Sequence, residues 1–275
     1  MDLIYDNIEE INSFDYLSNE EYNYMTEAYR DINLNYFCKL NNKIYHKKRV
    51  YEEDIIDEFL GKIISEYFGD KHIESKIIIG SINRLFLLTE NFIEEGHLYT
   101  NIRSNIFCNL KFDDRDRLDL FNLDLFNHIR FNEIIVNVKK EDLIKLKYSL
   151  KMMIINDYMR KQCDRVFRNF MFEYKFNRIK LMPLYDFEYS FFNSDNDLEN
   201  TFKFDLDDKN VIDYVRNDNQ FQELLYLGMD LNMDKIFEKL FDLYPVRLNN
   251  KEMDKYKNII DEKKKEIKEY KLIRS

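Results

Sequence analysis

The stretch from Leu150 to Ser190 reads LKMMIINDYMRKQCDRVFRNFMFEYKFNRIKLMPLYDFEYS. It holds Asp164, then Asn169 five residues later, then Asp186 beyond an apolar run of strand-like composition. Three oxygen-bearing side chains at this spacing suit a site that orients a hydroxyl and holds one or two Mg²⁺ ions, because Mg²⁺ prefers hard oxygen ligands. The local pattern brings them together. Residues 141–161 read as a helix, with Leu143, Leu146, Leu150, Ile154 and Tyr158 at helical spacing, and Asp164 follows it. Asn169 opens the strand FMFEY, RIKLMPLY is its hairpin partner, and Phe176-Asn177-Arg178 lie near the turn. A hairpin of this length returns the chain to its start, so Asn169 and Asp186 are expected to face each other. The plainer reading of the same residues is a polar helix-to-strand turn flanked by a structural Asp and Asn.

Three segments in order carry a family resemblance: Asp157-Tyr158-Met159-Arg160-Lys161-Gln162, Asp164-Arg165-Val166-Phe167-Arg168-Asn169, and Leu184-Tyr185-Asp186-Phe187. They resemble the HipA-like kinases, relatives in fold of the lipid and protein kinases. In that family a helix ending Asp-Tyr-(Leu/Met)-x-x-Gln leads into Asp-Arg-His-x-x-Asn and later (Leu/Phe)-Tyr-Asp-Phe. Val166 departs from the pattern, standing where the family often has His. The resemblance implies an α+β, two-lobed protein-kinase-like fold. Its small antiparallel-sheet lobe would span residues 1–88 and its mainly helical large lobe residues 89–275. It also implies Asp164 as the base or hydroxyl-orienting group, with Asn169 and Asp186 as metal ligands.

Composition bounds the alternatives. The chain has 275 residues, 45% hydrophobic and 16% aromatic, which is enough apolar surface for a sizeable core and too much for a disordered chain. A net charge of -10 argues against a broad nucleic-acid surface, which needs clustered Lys and Arg. The basic runs Lys47-Lys48-Arg49 and Lys263-Lys264-Lys265 read as solvated faces. No run approaches the roughly 18 apolar residues that span a bilayer. The opening MDLIYDNIEE lacks the basic start of a signal peptide, so a cytoplasmic location is expected. Cys38, Cys108 and Cys163 are odd in number and far apart, as free thiols in a reducing compartment would be. His46, His72, His97 and His128 are too scattered for a zinc site.

Two amphipathic stretches, residues 3–14 and 19–29, lead into the strand NLNYFCKL, an Asn41-Asn42 turn and a second strand over residues 43–47. Lys39 sits among Phe37, Cys38 and Leu40. A lysine in an apolar strand is costly unless its ammonium meets a carboxylate or phosphate. The alternative is an edge-strand lysine reaching solvent along its own stem. Residues 52–67 form an amphipathic helix with Gly69 placed as its C-cap and Glu58 at the edge of the apolar stripe. The run DEFLGKIISEYFG resembles the family helix Asn-Glu-x-x-x-x-x-x-Ala-x-x-x-Gly, with Asp57 in place of Asn and Ser65 in place of Ala. The resemblance implies that Lys39 contacts nucleotide phosphates and that Glu58 holds Lys39, with Asp57 and Glu53 as alternative acids. KIIIGSI and RLFLL read as two more strands with a turn near residues 80–83, and TENFIEEG resembles the family segment after the interlobe hinge. Residues 16–35 contain no glycine, so the phosphates lack the usual Gly-containing lid. Two replacements are open: backbone amides of a turn near Ser18 or Thr26, or a reduced lid.

Beyond Asp186, residues 191–208 are acidic and irregular. Helices are expected over residues 210–217, 220–229 and 232–243, then a Tyr244-Pro245 break and a last helix over 250–272. Met253, Tyr256, Ile259, Ile260, Ile267 and Leu272 would pack that helix on the large lobe; a partner-binding coiled coil is the other reading. The resemblance implies an ATP- and Mg²⁺-dependent kinase acting on Ser or Thr of a protein, in a toxin or effector setting, with autophosphorylation as a control. It implies an antitoxin or regulatory partner, with no direct contact to nucleic acid or membrane. The glycine-free stretch and Val166 motivate a second class, a pseudokinase that binds nucleotide or protein without turnover. An all-helical interaction protein would conflict with the strand runs around Lys39, Ile77 and Phe170.

Overall fold

Asn41 and Asn42 take left-handed backbone angles, φ 52° and 62°, as a two-residue hairpin turn requires and asparagine tolerates. They join β4 (Phe37–Leu40) to β5 (Lys43–Arg49), the hairpin expected at this point. The computed structural model describes residues 2–21, 37–70, 72–94, 98–100, 138–162, 171–184, 187, 190–191 and 209–274. Two further hairpin strands, β6 (Ser75–Gly80) and β7 (Arg84–Glu90), turn through Ile82 and Asn83. With β2 (Glu9–Glu10) and β3 (Asp15–Tyr16) they make a six-stranded sheet in the order β2-β6-β7-β5-β4-β3. β2 runs parallel to β6, so the sheet is mixed where an antiparallel one was expected. β7 continues to Glu90, past the 88/89 lobe boundary proposed from sequence. The amphipathic stretch 3–14 divides into β1 (Asp2–Leu3), a 3-10 turn at Tyr5–Asn7, and β2.

Alternation gives this sheet two different faces. Cys38, Tyr45, Ile78 and Leu88 pack together with Ile11 on the outer face. Burial there pushes the Cys38 thiol up to about 11, so it is an inert packing residue. Lys47 lies opposite Leu88 on that face, its ammonium 4.1 Å from the Phe14 ring centroid and 5.1 Å from that of Phe86. Aromatic faces here take the place of water around a buried cation. On the inner face Ile77 and Leu87 join the main core against α1 (Glu52–Phe68).

Glu52, Glu53 and Asp54 occupy the first turn of α1, where they complement the helix dipole. Gly69, at φ 82°, ends the helix in the left-handed conformation that favours glycine, as the sequence anticipated. Phe59, Leu60, Ile63 and Ile64 are buried along its length, each contributing about 1.5–3 kcal/mol by removal from water. Behind it runs α2 (Lys140–Met159), whose last two turns are buried on all sides, Asn156 and Asp157 included. A three-stranded sheet follows in the order β10-β9-β8, made of β8 (Leu98–Thr100), β9 (Phe172–Lys175) and β10 (Arg178–Leu181). Phe176 and Asn177, both at positive φ, form the tip of the β9–β10 hairpin read from sequence.

Among the described residues, four more helices belong to the large lobe: α3 (Lys209–Asn217), α4 (Asn219–Asp230), α5 (Met233–Leu243) and α6 (Asn250–Glu269). Asn249 and Glu252 form a capping box at the start of α6. Tyr256, Ile259, Ile260 and Ile267 are buried against the core along with Leu272, so the last helix packs on its own lobe as expected. Between α5 and α6, β11 (Val246–Arg247) pairs with β1. Ile4 N–H donates to the Pro245 carbonyl at 2.9 Å, and Phe59 of α1 stacks on Tyr244 with centroids 3.8 Å apart.

On the side of α1 that faces α6, Asp57 is half-buried beside Tyr256, and desolvation pushes its carboxyl up to about 7. A raised carboxyl favours the protonated folded state. Its stabilising effect is therefore complete below the unfolded value of 3.8 and is lost as pH rises through about 7. Asp57→Asn is expected to raise Tm above pH 7 and to flatten its decline between pH 4 and 7. Thermal melts across that range check this; an unchanged slope would place Asp57 in solvent.

Candidate active site

Lys39 shares the inner face of β4 with Phe37, since both alternate with the outward-facing Cys38. Phe37 is buried with Ile93, Met171 and Met182, the last two bracketing the β9–β10 hairpin. Lys39, two residues along the same face, stands next to this contact between the small sheet and that hairpin. Its side chain is 38% exposed, and its Nζ lies 2.5 Å from Glu21 Oε1. The other Glu21 oxygen accepts from the Ser18 amide at 3.0 Å and the Ser18 hydroxyl at 2.8 Å. Lys39 first, then the Ser18 donors, hold the Glu21 carboxyl down at about 2. Glu21 in this arrangement is a carboxylate seated on a lysine and a backbone amide, the donor set a phosphate oxygen would use.

Glu58 lies elsewhere than beside Lys39. It is 1% exposed, and its Oε2 accepts from the Phe187 amide at 2.7 Å. Its Oε1 is 3.2 Å from Lys62 Nζ, one helical turn along α1. Lys62 is equally sealed, has no hydrogen-bond partner among the described residues, and is driven toward neutrality by burial against the pull of Glu58. The pairing expected between Lys39 and Glu58 is therefore not formed. Each has taken a nearer partner, Glu21 from the segment after β3 and Lys62 from the same helix. Of the alternative acids, Asp57 faces α6 and Glu53 is exposed.

Asp164, Asn169 and Asp186 lie outside the described residues, as do Cys163, Val166, Thr26 and residues 192–208. Their immediate neighbours in the chain are well anchored. Ile73 N–H donates to the Leu184 carbonyl at 3.1 Å, two residues before Asp186. Phe187, one residue after it, is held by Glu58. At the other end, Gln162 and Arg160 belong to a buried polar cluster with Asn156, Asp157 and Ser190. Ser65, standing at the family's alanine position, belongs to it too: its hydroxyl accepts from Asn156 Nδ2 at 2.7 Å.

Sequence reasoning assigned no role to Lys62 or Arg160 and read Lys47-Lys48-Arg49 as a solvated face, whereas Lys47 is buried and Lys48 half-buried. Lys48 lies opposite Leu87, hence on the inner face of the strand that directly precedes α1. The alternation of β5 was the signal that would have found it, and it makes Lys48 a second candidate for the phosphate-contacting lysine. Lys62 was visible as a cation four residues after Glu58.

No protein-family model matches this chain, and no curated protein sequence does. Solved structures do. The proinflammatory kinase CtkA of Helicobacter pylori superposes with a TM-score of 0.59 at 17% identity, over 86% of this chain and 92% of that one. HipA of Shewanella oneidensis MR-1, solved with HipB and operator DNA as a toxin–antitoxin system, superposes with a TM-score of 0.57 at 13% identity. That match covers 84% of this chain and 58% of the HipA chain. At these identities the likeness establishes the fold, a two-lobed HipA-like kinase fold.

Proposed function

We propose that this kinase-like fold transfers the γ-phosphoryl group of ATP to a protein Ser or Thr, with Mg²⁺. The observation that carries the reading is the Glu58 carboxylate, sealed inside α1 and hydrogen-bonded to the amide beside Asp186. One carboxylate oxygen answers the buried Lys62; the other is spent on the Phe187 amide, which suits a site that must hold Asp186 in place. The residues suit the ligands. Lys39 already binds a carboxylate at the cleft and can exchange it for phosphate. Asn169 and Asp186 offer the hard oxygens that Mg²⁺ takes. Bound Mg²⁺·ATP supplies the transferable group and neutralises its charge. Lys39 binds phosphate oxygens, Glu58 fixes the Phe187 amide, and Asp164 orients the attacking hydroxyl and accepts its proton. We also propose an antitoxin or other regulatory protein as partner, autophosphorylation as a control, and a cytoplasmic setting without nucleic-acid contact. The net charge of -10 supports the last, and no helix among the described residues is long and apolar enough to cross a membrane.

The pseudokinase reading rests on one specific observation, that Lys39 and Glu58 are engaged elsewhere. Thermal melts with ATP, with and without Mg²⁺, separate the readings when combined with radiolabel transfer. The kinase should show Mg²⁺-dependent stabilisation and transfer; the pseudokinase should show stabilisation alone. Glu21→Gln is expected to tighten ATP binding up to about fivefold, the range of an exposed ion pair. Weaker binding by the variant would instead make Glu21 part of the ligand site.

A further inference from the structure

Arg160 occupies one of the positions that the family motif leaves open, and it is fully buried. Its guanidinium reaches three side chains. Nε donates to Asn156 Oδ1 at 2.9 Å, one terminal nitrogen to Asp157 Oδ1 at 2.5 Å, and the other to Ser190 Oγ at 2.7 Å. Its Cζ lies 4.8 Å from the Phe187 ring centroid, and its carbonyl accepts from the Phe191 amide at 2.6 Å. Ser190 Oγ in turn lies 3.0 Å from Gln162 Oε1 and 2.7 Å from the Phe187 carbonyl oxygen.

These contacts join two pieces of chain that are distant in sequence. One is the end of α2 through Gln162, which leads into Asp164. The other is Phe187 to Phe191, which follows Asp186. A third element closes over them. A Cβ at Gly61 of α1 would meet Phe187 Cβ at 2.6 Å and an Arg160 nitrogen at 2.9 Å, so α1 approaches this junction as closely as a glycine allows. A leucine or methionine would fill the same volume without the cost of burying a charge, but it would bridge nothing. A lysine is a point donor and cannot serve three partners set in a plane.

Resting on the kinase reading above, we propose that Arg160 is a positioning residue that sets Asp164 and Asp186 relative to each other by clamping the segments leading to and from them. It acts through those segments, without touching the nucleotide or the substrate.

The test uses the full chain with Ser190→Ala, which removes the hydroxyl contacts to Arg160, Gln162 and the Phe187 carbonyl and keeps the Asp157–Arg160 pair, and Arg160→Lys. Rates are measured per folded molecule. Misplacing reacting groups by an ångström costs up to about 10²-fold, so Ser190→Ala should lower kcat about tenfold, and Arg160→Lys further. The KM for ATP should move less than about twofold, because nucleotide binding at Lys39 is untouched, while half-maximal activity should need several-fold more Mg²⁺. A general loss of packing would lower Tm without changing the Mg²⁺ requirement. Parental kcat and Mg²⁺ dependence in the variants, with an active parent, overturn the positioning role alone. A parent that neither transfers phosphate nor is stabilised by Mg²⁺·ATP overturns the kinase reading and this inference with it. Should Arg160→Lys fail to fold, Ser190→Ala decides.

Discussion

Asp186→Asn is expected to bring phosphate transfer from ATP below detection while leaving Tm within a few degrees of the parent. The substitution keeps shape and removes charge, and Mg²⁺ bound with substrate phosphates depends on a carboxylate. The described neighbours on either side are held without that charge. Leu184 is held by Ile73 and Phe187 by Glu58, both through backbone groups that the substitution leaves alone. Asp164→Ala should cost on the order of 10²-fold or more, and far more than any change at Val166, which can only pack. Radiolabel transfer to a generic protein or to the chain itself measures both. Parental rates from either variant would move the metal or the base to another side chain.

Glu58→Ala should produce the largest loss of stability. It strands the buried Lys62 ammonium without its acid and leaves the Phe187 amide without an acceptor. Breaking a sealed ion pair from one side costs about 3–5 kcal/mol, roughly 10 °C in Tm for a chain of this size. Adding Lys62→Met to Glu58→Ala removes the stranded charge, so the double variant should regain much of the lost Tm. It should not regain phosphate transfer, because the amide beside Asp186 is still unheld. A loss under about 1 kcal/mol in the single variant would mean that water reaches this pair. Recovery of transfer in the double variant would reduce Glu58 to a packing residue.

The legible parts of this chain were those governed by local rules. The Asn41-Asn42 turn, the Gly69 cap, the hairpin tip at Phe176-Asn177 and the Tyr244-Pro245 break follow from backbone preferences of a few residues, and all are present. The fold followed from the order of motifs. Partner choice was not legible. Lys39 and Glu58 were expected to meet because each needed an opposite charge, but a sequence does not say which of several charges is nearest. Glu21 reaches Lys39 from the segment after β3, an approach set by tertiary path. Glu58 is satisfied by a lysine one helical turn along and by a backbone amide 129 residues away. The Arg160 cluster was hidden for a similar reason: its members come from α2 and from Ser190, 30 residues on, and look like ordinary surface polar residues until they are buried together.

Two bodies joined by a single strand can swing open like the covers of a book. Here the covers are also sewn along the opposite margin, where β1 is laced to β11 and Phe59 lies flat on Tyr244. β2, next in the chain after β1, forms one edge of the six-stranded sheet; β3, beside the Lys39-bearing strand, forms the other. The seam therefore ties the two lobes near the β2 edge of the sheet. At the other edge, beside β3, stands the Glu21–Lys39 pair, and on the kinase reading proposed above the nucleotide phosphates would meet it there.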